Sequence, residues 1–300
     1  MSQAPAFATL ATFMGTSRAD RDAPICIAGV PLDIGTSNRA GARFGPAAIR
    51  HASRMLVDGS HPTLGVAGAD LPIADIGNFE IHLGDLAKSF ELIEKQAASI
   101  AHLVTLGGDH GITLPLLRAR AAKHGPLGLI HFDAHVDTWP ETSGQTLGHG
   151  SVFYHAINEG IVDPRRMIQI GIRSPVEPEV YQWTRDKGVT IISAQDVHAT
   201  TPEKIVERIR ACVGAEAVYL TFDIDALDPA FAPGTGTPEI GGLASWQAQA
   251  ILRRLGGLTF VGMDLVEVSP SYDVSEITAL AGATFVWEYL CLLQAARARS

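Results

Sequence analysis

From residue 24 onward, short runs of apolar and β-branched residues alternate with longer segments whose apolar positions recur every three or four residues. The short runs predict strands at Ile25–Val30, Leu103–Leu106, Leu127–Phe132, Met167–Ile172, Val189–Ile192, Val218–Phe222 and Phe260–Leu265. Most are nearly unbroken hydrophobic stretches, the pattern of strands covered on both faces. The longer segments predict helices at Gly45–Arg54, Asp85–Ile100, Ile112–Lys123, Pro178–Asp186, Pro202–Cys212 and Ser245–Leu255, with a last one at Glu276–Arg297. Repeated strand–helix alternation predicts an α/β protein, a mainly parallel sheet between helix layers. No linker, repeat or low-complexity tract divides residues 1–300, so a single domain is expected.

Composition narrows the partners. The chain is 46% hydrophobic and 18% charged, as a folded globular protein is, and its 23 basic and 32 acidic side chains leave a formal charge of −9. An acidic balance without a Lys/Arg stripe argues against nucleic acid. No run of roughly 18 apolar residues argues for a membrane span, and Met1–Thr12 lacks the basic start of a secretory signal. Cys26, Cys212 and Cys291 are odd in number and far apart. That spacing fits a reducing cytoplasm and excludes a disulfide framework or a thiolate zinc site.

In open parallel sheets, ligands bind beyond the carboxyl ends of the strands, and three predicted strands end in conspicuous chemistry. Leu103–Leu106 runs into Gly107-Gly108-Asp109-His110. Leu127–Phe132 runs into Asp133-Ala134-His135-Val136-Asp137. Val218–Phe222 runs into Asp223-Ile224-Asp225-Ala226-Leu227-Asp228-Pro229. Residues two apart on extended backbone share a face, so Asp133, His135 and Asp137 align, as do Asp223 and Asp225. Clustered carboxylates repel: at an effective dielectric near 20, a pair at 4 Å costs ~4 kcal/mol. Two divalent cations would neutralise the four Asp charges, with His110 and His135 as nitrogen ligands. Oxygen-rich sites with some imidazole suit Mn²⁺, and paired ions can activate water at neutral pH without a Ser or Cys nucleophile. There is no Gly-x-Ser-x-Gly elbow. An EF-hand starting at Asp223 fails, with Asp228 where Gly belongs and Gly234 where Glu belongs. One Asp-x-Asp after a strand is ordinarily a turn or a helix cap; packing alone does not produce three such motifs in one chain.

These motifs resemble the three signatures of the ureohydrolase family, which includes arginase and agmatinase. The likeness begins at Gly29-Val30-Pro31-Leu32-Asp33 and Arg43-Phe44-Gly45-Pro46 and continues through Pro233-Gly234-Thr235-Gly236-Thr237-Pro238 to Asp264-Leu265-Val266-Glu267-Val268-Ser269-Pro270. It is nearest to agmatinase and the related guanidino-acid hydrolases. The resemblance implies a three-layer α/β/α fold with an eight-stranded, mainly parallel sheet, assembled as a homotrimer or homohexamer. It implies two Mn²⁺ per subunit held by His110, Asp133, His135, Asp137, Asp223 and Asp225. Asp225 would join His110 at one ion, Asp223 would join His135 at the other, and Asp133 and Asp225 would bridge. It further implies that His149 shuttles protons and that Glu267 pairs with a substrate guanidinium beside Thr237. Gly111, Val136 and Thr221 stand where the family more often has Ser or Thr, Thr or Ala, and Ser.

The expected reaction is hydrolysis of a linear guanidino compound to urea and an amine, with Asp137 passing a proton to the departing amine. Agmatine, giving putrescine, is the first expectation; 4-guanidinobutyrate and 3-guanidinopropionate are alternatives. The loop Thr138–Leu147 holds Glu141 and no Lys or Arg, which favours a cationic substrate tail. Arg39 and Arg43 stay unassigned, and His131 is expected to be a packed, hydrogen-bonded residue. A zinc-dependent deacylase of similar fold would need an open one-metal site, and a scaffold protein would be expected to have lost ligands.

Overall fold

A computed structural model describes residues 11–142 and 144–298. Most of Met1–Thr12, the segment without a signal-like start, lies outside the described residues. Eight strands form one sheet: β1 (Ile25–Gly29), β2 (Ile73–Asn78), β3 (Leu103–Leu106), β4 (Leu127–Phe132), β5 (Val162–Ile172), β6 (Thr190–Ser193), β7 (Val218–Asp223) and β8 (Phe260–Val266). Their order is β2-β1-β3-β8-β7-β4-β5-β6, and every pairing is parallel. The helices are α1 (Gly45–Ser53), α2 (Leu86–Ala98), α3 (Thr113–His124), α4 (Val152–Asn158), α5 (Pro178–Asp186), α6 (Ala194–His198), α7 (Pro202–Val213), α8 (Ser245–Leu252) and α9 (Ile277–Arg297). Their ends follow local chemistry. Asp85 accepts the Lys88 N–H at the start of α2, Thr201 precedes Pro202 at the start of α7, and Gly214 ends α7 at φ 69°.

Each predicted strand is present, and β5 starts five residues earlier than expected, at Val162. One strand was not foreseen. β2, Ile73-Ala74-Asp75-Ile76-Gly77-Asn78, is a sheet edge whose apolar run is broken by Asp75. That carboxylate is buried because Arg50 of α1 reaches it with two N–H groups, at 2.7 and 2.9 Å.

The sheet separates two apolar layers. On β4, Ile130 and Phe132 face one layer with α1, α7, α8 and α9; Leu127 and Leu129 face the other with α2, α3 and α4. Full burial of such side chains, each worth ~1.5–3 kcal/mol, explains why the strands read as unbroken hydrophobic runs. Helix α9 is, among the described residues, long and apolar enough to cross a membrane by length and composition alone. It is instead packed inward, with Glu288 fully buried between His61 and Arg253. Layering leaves the carboxyl ends of the four central strands, β3, β8, β7 and β4, side by side.

Candidate metal centre

The turn after β3 is drawn tight against the chain that leaves β1. Gly108 N–H donates to Val30 O and Asp109 N–H to Leu32 O, at 3.0 and 2.7 Å. A Cβ on Gly108 would stand 1.9 Å from Leu32 O, so only glycine fits. Asp109 is spent structurally, accepting from the N–H groups of Gly35 and Gly111. His110 is thereby pushed inward, its ring edge-on to Phe153 and fully buried.

Around His110 Nδ1 lie three carboxylate oxygens: Asp133 Oδ2 and Asp137 Oδ2 at 3.1 Å, and Asp223 Oδ2 at 3.3 Å. None makes a hydrogen bond with it, and Nδ1 is a buried atom without a partner. A second focus sits beside the first, where His135 Nδ1 is 3.2 Å from Asp133 Oδ1 and 3.1 Å from Asp225 Oδ2. Main chain and side chains orient these acceptors. The Ala134 N–H donates to Asp225 Oδ1, the Asp225 N–H to Asp223 Oδ1, and the Thr237 hydroxyl to Asp225 Oδ2 at 3.2 Å. All six expected ligands thus converge. The grouping differs from the expected one, because Asp223 faces His110 and Asp225 faces His135. The reason is local: the chain leaves β7 through a 3₁₀ turn at Ile224–Ala226, which swings Asp225 toward the Ala134 N–H.

The electrostatics of this cluster call for a cation. Burial, then Asp225 and Asp133, push the Asp223 carboxyl well above its ordinary range, whereas Asp133, though buried, is held well below it chiefly by His131. An imidazole lone pair aimed at three acceptor-only oxygens is a donor set for a hard or borderline metal ion. The residues present therefore fit a metal centre.

His149 and Glu267 flank the ligands. The Ser37 N–H donates to His149 Nε2 at 3.1 Å, so the ring proton lies on Nδ1, 3.3 Å from Glu267 Oε1. Burial opposes a charge on His149, but Glu267, with Asp137 and Asp109, outweighs it and raises its pKa to about 9. Glu267 is 1% exposed, and its Oε1 also accepts the His110 N–H at 2.8 Å. A cavity of about 360 Å³ opens over the cluster, with His135, Asp137, Asp223, His149 and Thr237 at its base. Its wall carries Trp139, Glu141 and Glu177, and no Lys or Arg among the described residues that line it. The Trp139 indole N–H donates to Glu177 Oε2 at 2.6 Å. Arg43 is paired with Asp33, and Arg39 stacks on Tyr272, 5.0 Å from the ring centre. Ser37, Trp139 and Glu177 were not among the residues expected at the site. Glu177 was findable, since it comes after β5 as the motifs come after β3, β4 and β7.

Comparison with known proteins agrees with this geometry. Residues 23–291 match the arginase family. An agmatinase of Photorhabdus laumondii is 48% identical over 93% of this chain and 89% of that protein. A mitochondrial guanidino acid hydrolase of Homo sapiens is 46% identical over 88% of this chain and 77% of that protein. The crystal structure of a hypothetical agmatinase from Burkholderia thailandensis superposes with a TM-score of 0.91 at 43% identity, covering 98% of this chain and 94% of that one. The chain belongs to the arginase family, whose members hold a metal cluster, and its own His and Asp groups could hold one.

Proposed function

We propose that this protein hydrolyses a linear guanidino compound to urea and an amine, with agmatine as its substrate and two Mn²⁺ per subunit. The observation that carries the reading is the unpartnered Nδ1 of His110, surrounded by carboxylate oxygens at the floor of an open cavity. His110, Asp133, Asp137 and Asp223 would hold one ion. His135, Asp133 and Asp225 would hold the other, so Asp133, with one oxygen toward each focus, would serve both ions. Two divalent ions there supply Lewis acidity and bring the ionisation of water toward neutral pH. The chain's own groups do the rest. Glu267 with Thr237 takes the guanidinium, since a carboxylate accepts paired N–H bonds. Asp137, on the cavity floor, takes a proton from the water that adds to the guanidinium carbon and passes it to the departing amine. His149, whose Nε2 accepts from the Ser37 N–H and whose Nδ1 faces Glu267, exchanges protons with solvent.

The tail of the substrate is read from the cavity wall. Glu141 and Glu177, with no Lys or Arg among the described residues that line the cavity, support an ammonium tail over a carboxylate. The competing reading, a guanidino-acid hydrolase, is favoured by the 46% identity to the human guanidino acid hydrolase. Urea release from the Mn²⁺-loaded protein, offered agmatine, 4-guanidinobutyrate, 3-guanidinopropionate and arginine in parallel, decides. Agmatine is expected to be cleaved fastest. Faster cleavage of a guanidino acid would overturn the tail assignment, and no urea from any of them would overturn the reaction. We further infer one domain, a homotrimer or homohexamer, and a cytoplasmic location, the last supported by three free, scattered cysteines.

A further inference from the structure

Directly beneath the candidate ligands, five polar side chains cross the sheet at one register level. Thr105, Asp264, Thr221, His131 and Gln169 are successive partners on β3, β8, β7, β4 and β5. All five are 0% exposed, on strands whose neighbouring buried positions are mostly apolar. Burying such groups is unfavourable unless each finds a partner, and a purely structural sheet would carry apolar residues there. Thr221 and His131 stand two positions before Asp223 and Asp133, hence on the same face.

Thr105 Oγ1 has no partner, and the hydrogen bonds of the other four run in one direction. Asp264 Oδ2 accepts from the Tyr219 and Thr113 hydroxyls, each at 2.9 Å, and Oδ1 accepts from Thr221 Oγ1 at 2.6 Å. A carboxylate only accepts, so the Thr221 proton is committed to Asp264. What Thr221 offers His110 Nε2, 2.9 Å away, is a lone pair. His110 must therefore carry its proton on Nε2, which leaves Nδ1 bare where the three carboxylates converge. We propose that Asp264 and Thr221 are positioning residues that fix the tautomer and aim of His110 for metal binding. The inference rests on the reading of this cluster as a metal centre. The far side of the row acts alike on Asp133: the Gln169 amide donates to Val136 O and His131 Nδ1, and His131 Nε2–H then donates to Asp133 Oδ2 at 2.7 Å.

The test compares full-length wild type with Thr221→Ser, Thr221→Val and Asp264→Asn. Mn²⁺ stoichiometry and affinity are measured by competition with a chelating dye, and the His110 tautomer by ¹⁵N NMR of the metal-free protein. Thr221→Ser keeps the hydroxyl and is expected to bind as wild type does. Thr221→Val and Asp264→Asn are expected to lose affinity for one of two ions, about 10–100-fold as for other groups that orient metal ligands, and to shift the proton toward Nδ1. Should Asp264→Asn fail to fold, the near-isosteric Ser/Val pair decides. Folded Val and Asn variants that bound two Mn²⁺ as tightly as wild type, with Nε2 still protonated, would overturn this inference alone. Wild-type protein that took up no Mn²⁺ would overturn the metal centre and this inference with it.

Discussion

Glu177 stands on the cavity wall, and its position is set by a neighbour. The Trp139 indole holds its Oε2, at 2.6 Å, so the carboxylate is presented at a fixed place on the cavity wall. The hydrogen bond also lowers the Glu177 pKa, which keeps the charge in place. Because the group is exposed, its attraction for an ammonium tail is modest, as for surface ion pairs. Glu177→Gln should therefore lower kcat/KM for agmatine by no more than about fivefold. Glu177→Lys should go further and raise relative activity on 4-guanidinobutyrate, because it places a cation where a carboxylate tail would lie. Steady-state urea release on both substrates measures the ratio. A ratio unmoved by Glu177→Lys would place the tail elsewhere.

The strand ends and the turns beyond them do most of the positioning. At Gly108 an added Cβ meets Leu32 O at 1.9 Å and Val30 O at 2.7 Å, both backbone atoms that already accept hydrogen bonds. Neither can give way without moving the turn that delivers His110. Gly108→Ala should therefore destabilise the protein by at least the ~1–3 kcal/mol typical of overpacking and weaken Mn²⁺ binding together. A melting curve and a metal titration check both, and a variant with unaltered metal affinity would show that the turn does not aim His110. The same elements show what was legible in the sequence. β3, β4 and β7 were readable because an apolar run ends in a motif, and a strand end aims the side chains just beyond it. β2 was not, since Asp75 breaks its run and is buried only because Arg50, distant in sequence, comes to meet it. Asp264 was visible only as the start of a family-like segment and Gln169 not at all, because their alignment with Thr221 and His131 exists only in the cross-strand register. The grouping of Asp223 with His110 was equally hidden, because it depends on a 3₁₀ turn that breaks the two-residue alternation.

For the molecule as a whole, the centre is a local liability that bound cations would offset. Asp133, Asp137, Asp223 and Asp225 lie within one buried cluster, and Asp137 and Glu267 hold left-handed backbone at φ 49° and 65°. Such backbone costs about 1–2 kcal/mol per residue outside glycine, and strain of this kind concentrates at functional sites. A cation neutralises the carboxylates only in the folded chain, so it stabilises by mass action: about 2.7 kcal/mol for each site at a hundredfold excess over Kd. With ~2–4 °C per kcal/mol for chains of somewhat smaller size, saturating Mn²⁺ should raise the melting midpoint on the order of 10 °C above that in EDTA. Asp137→Asn tests the origin of that gap. Asn tolerates the left-handed conformation and removes one charge, so the metal-free variant should melt at or above metal-free wild type, while the gain from Mn²⁺ should shrink. Both ends of the gap must close for repulsion among the carboxylates to be its cause. If the metal-free variant instead melted lower and the Mn²⁺ gain stayed whole, Asp137 would be a packing residue and not a ligand.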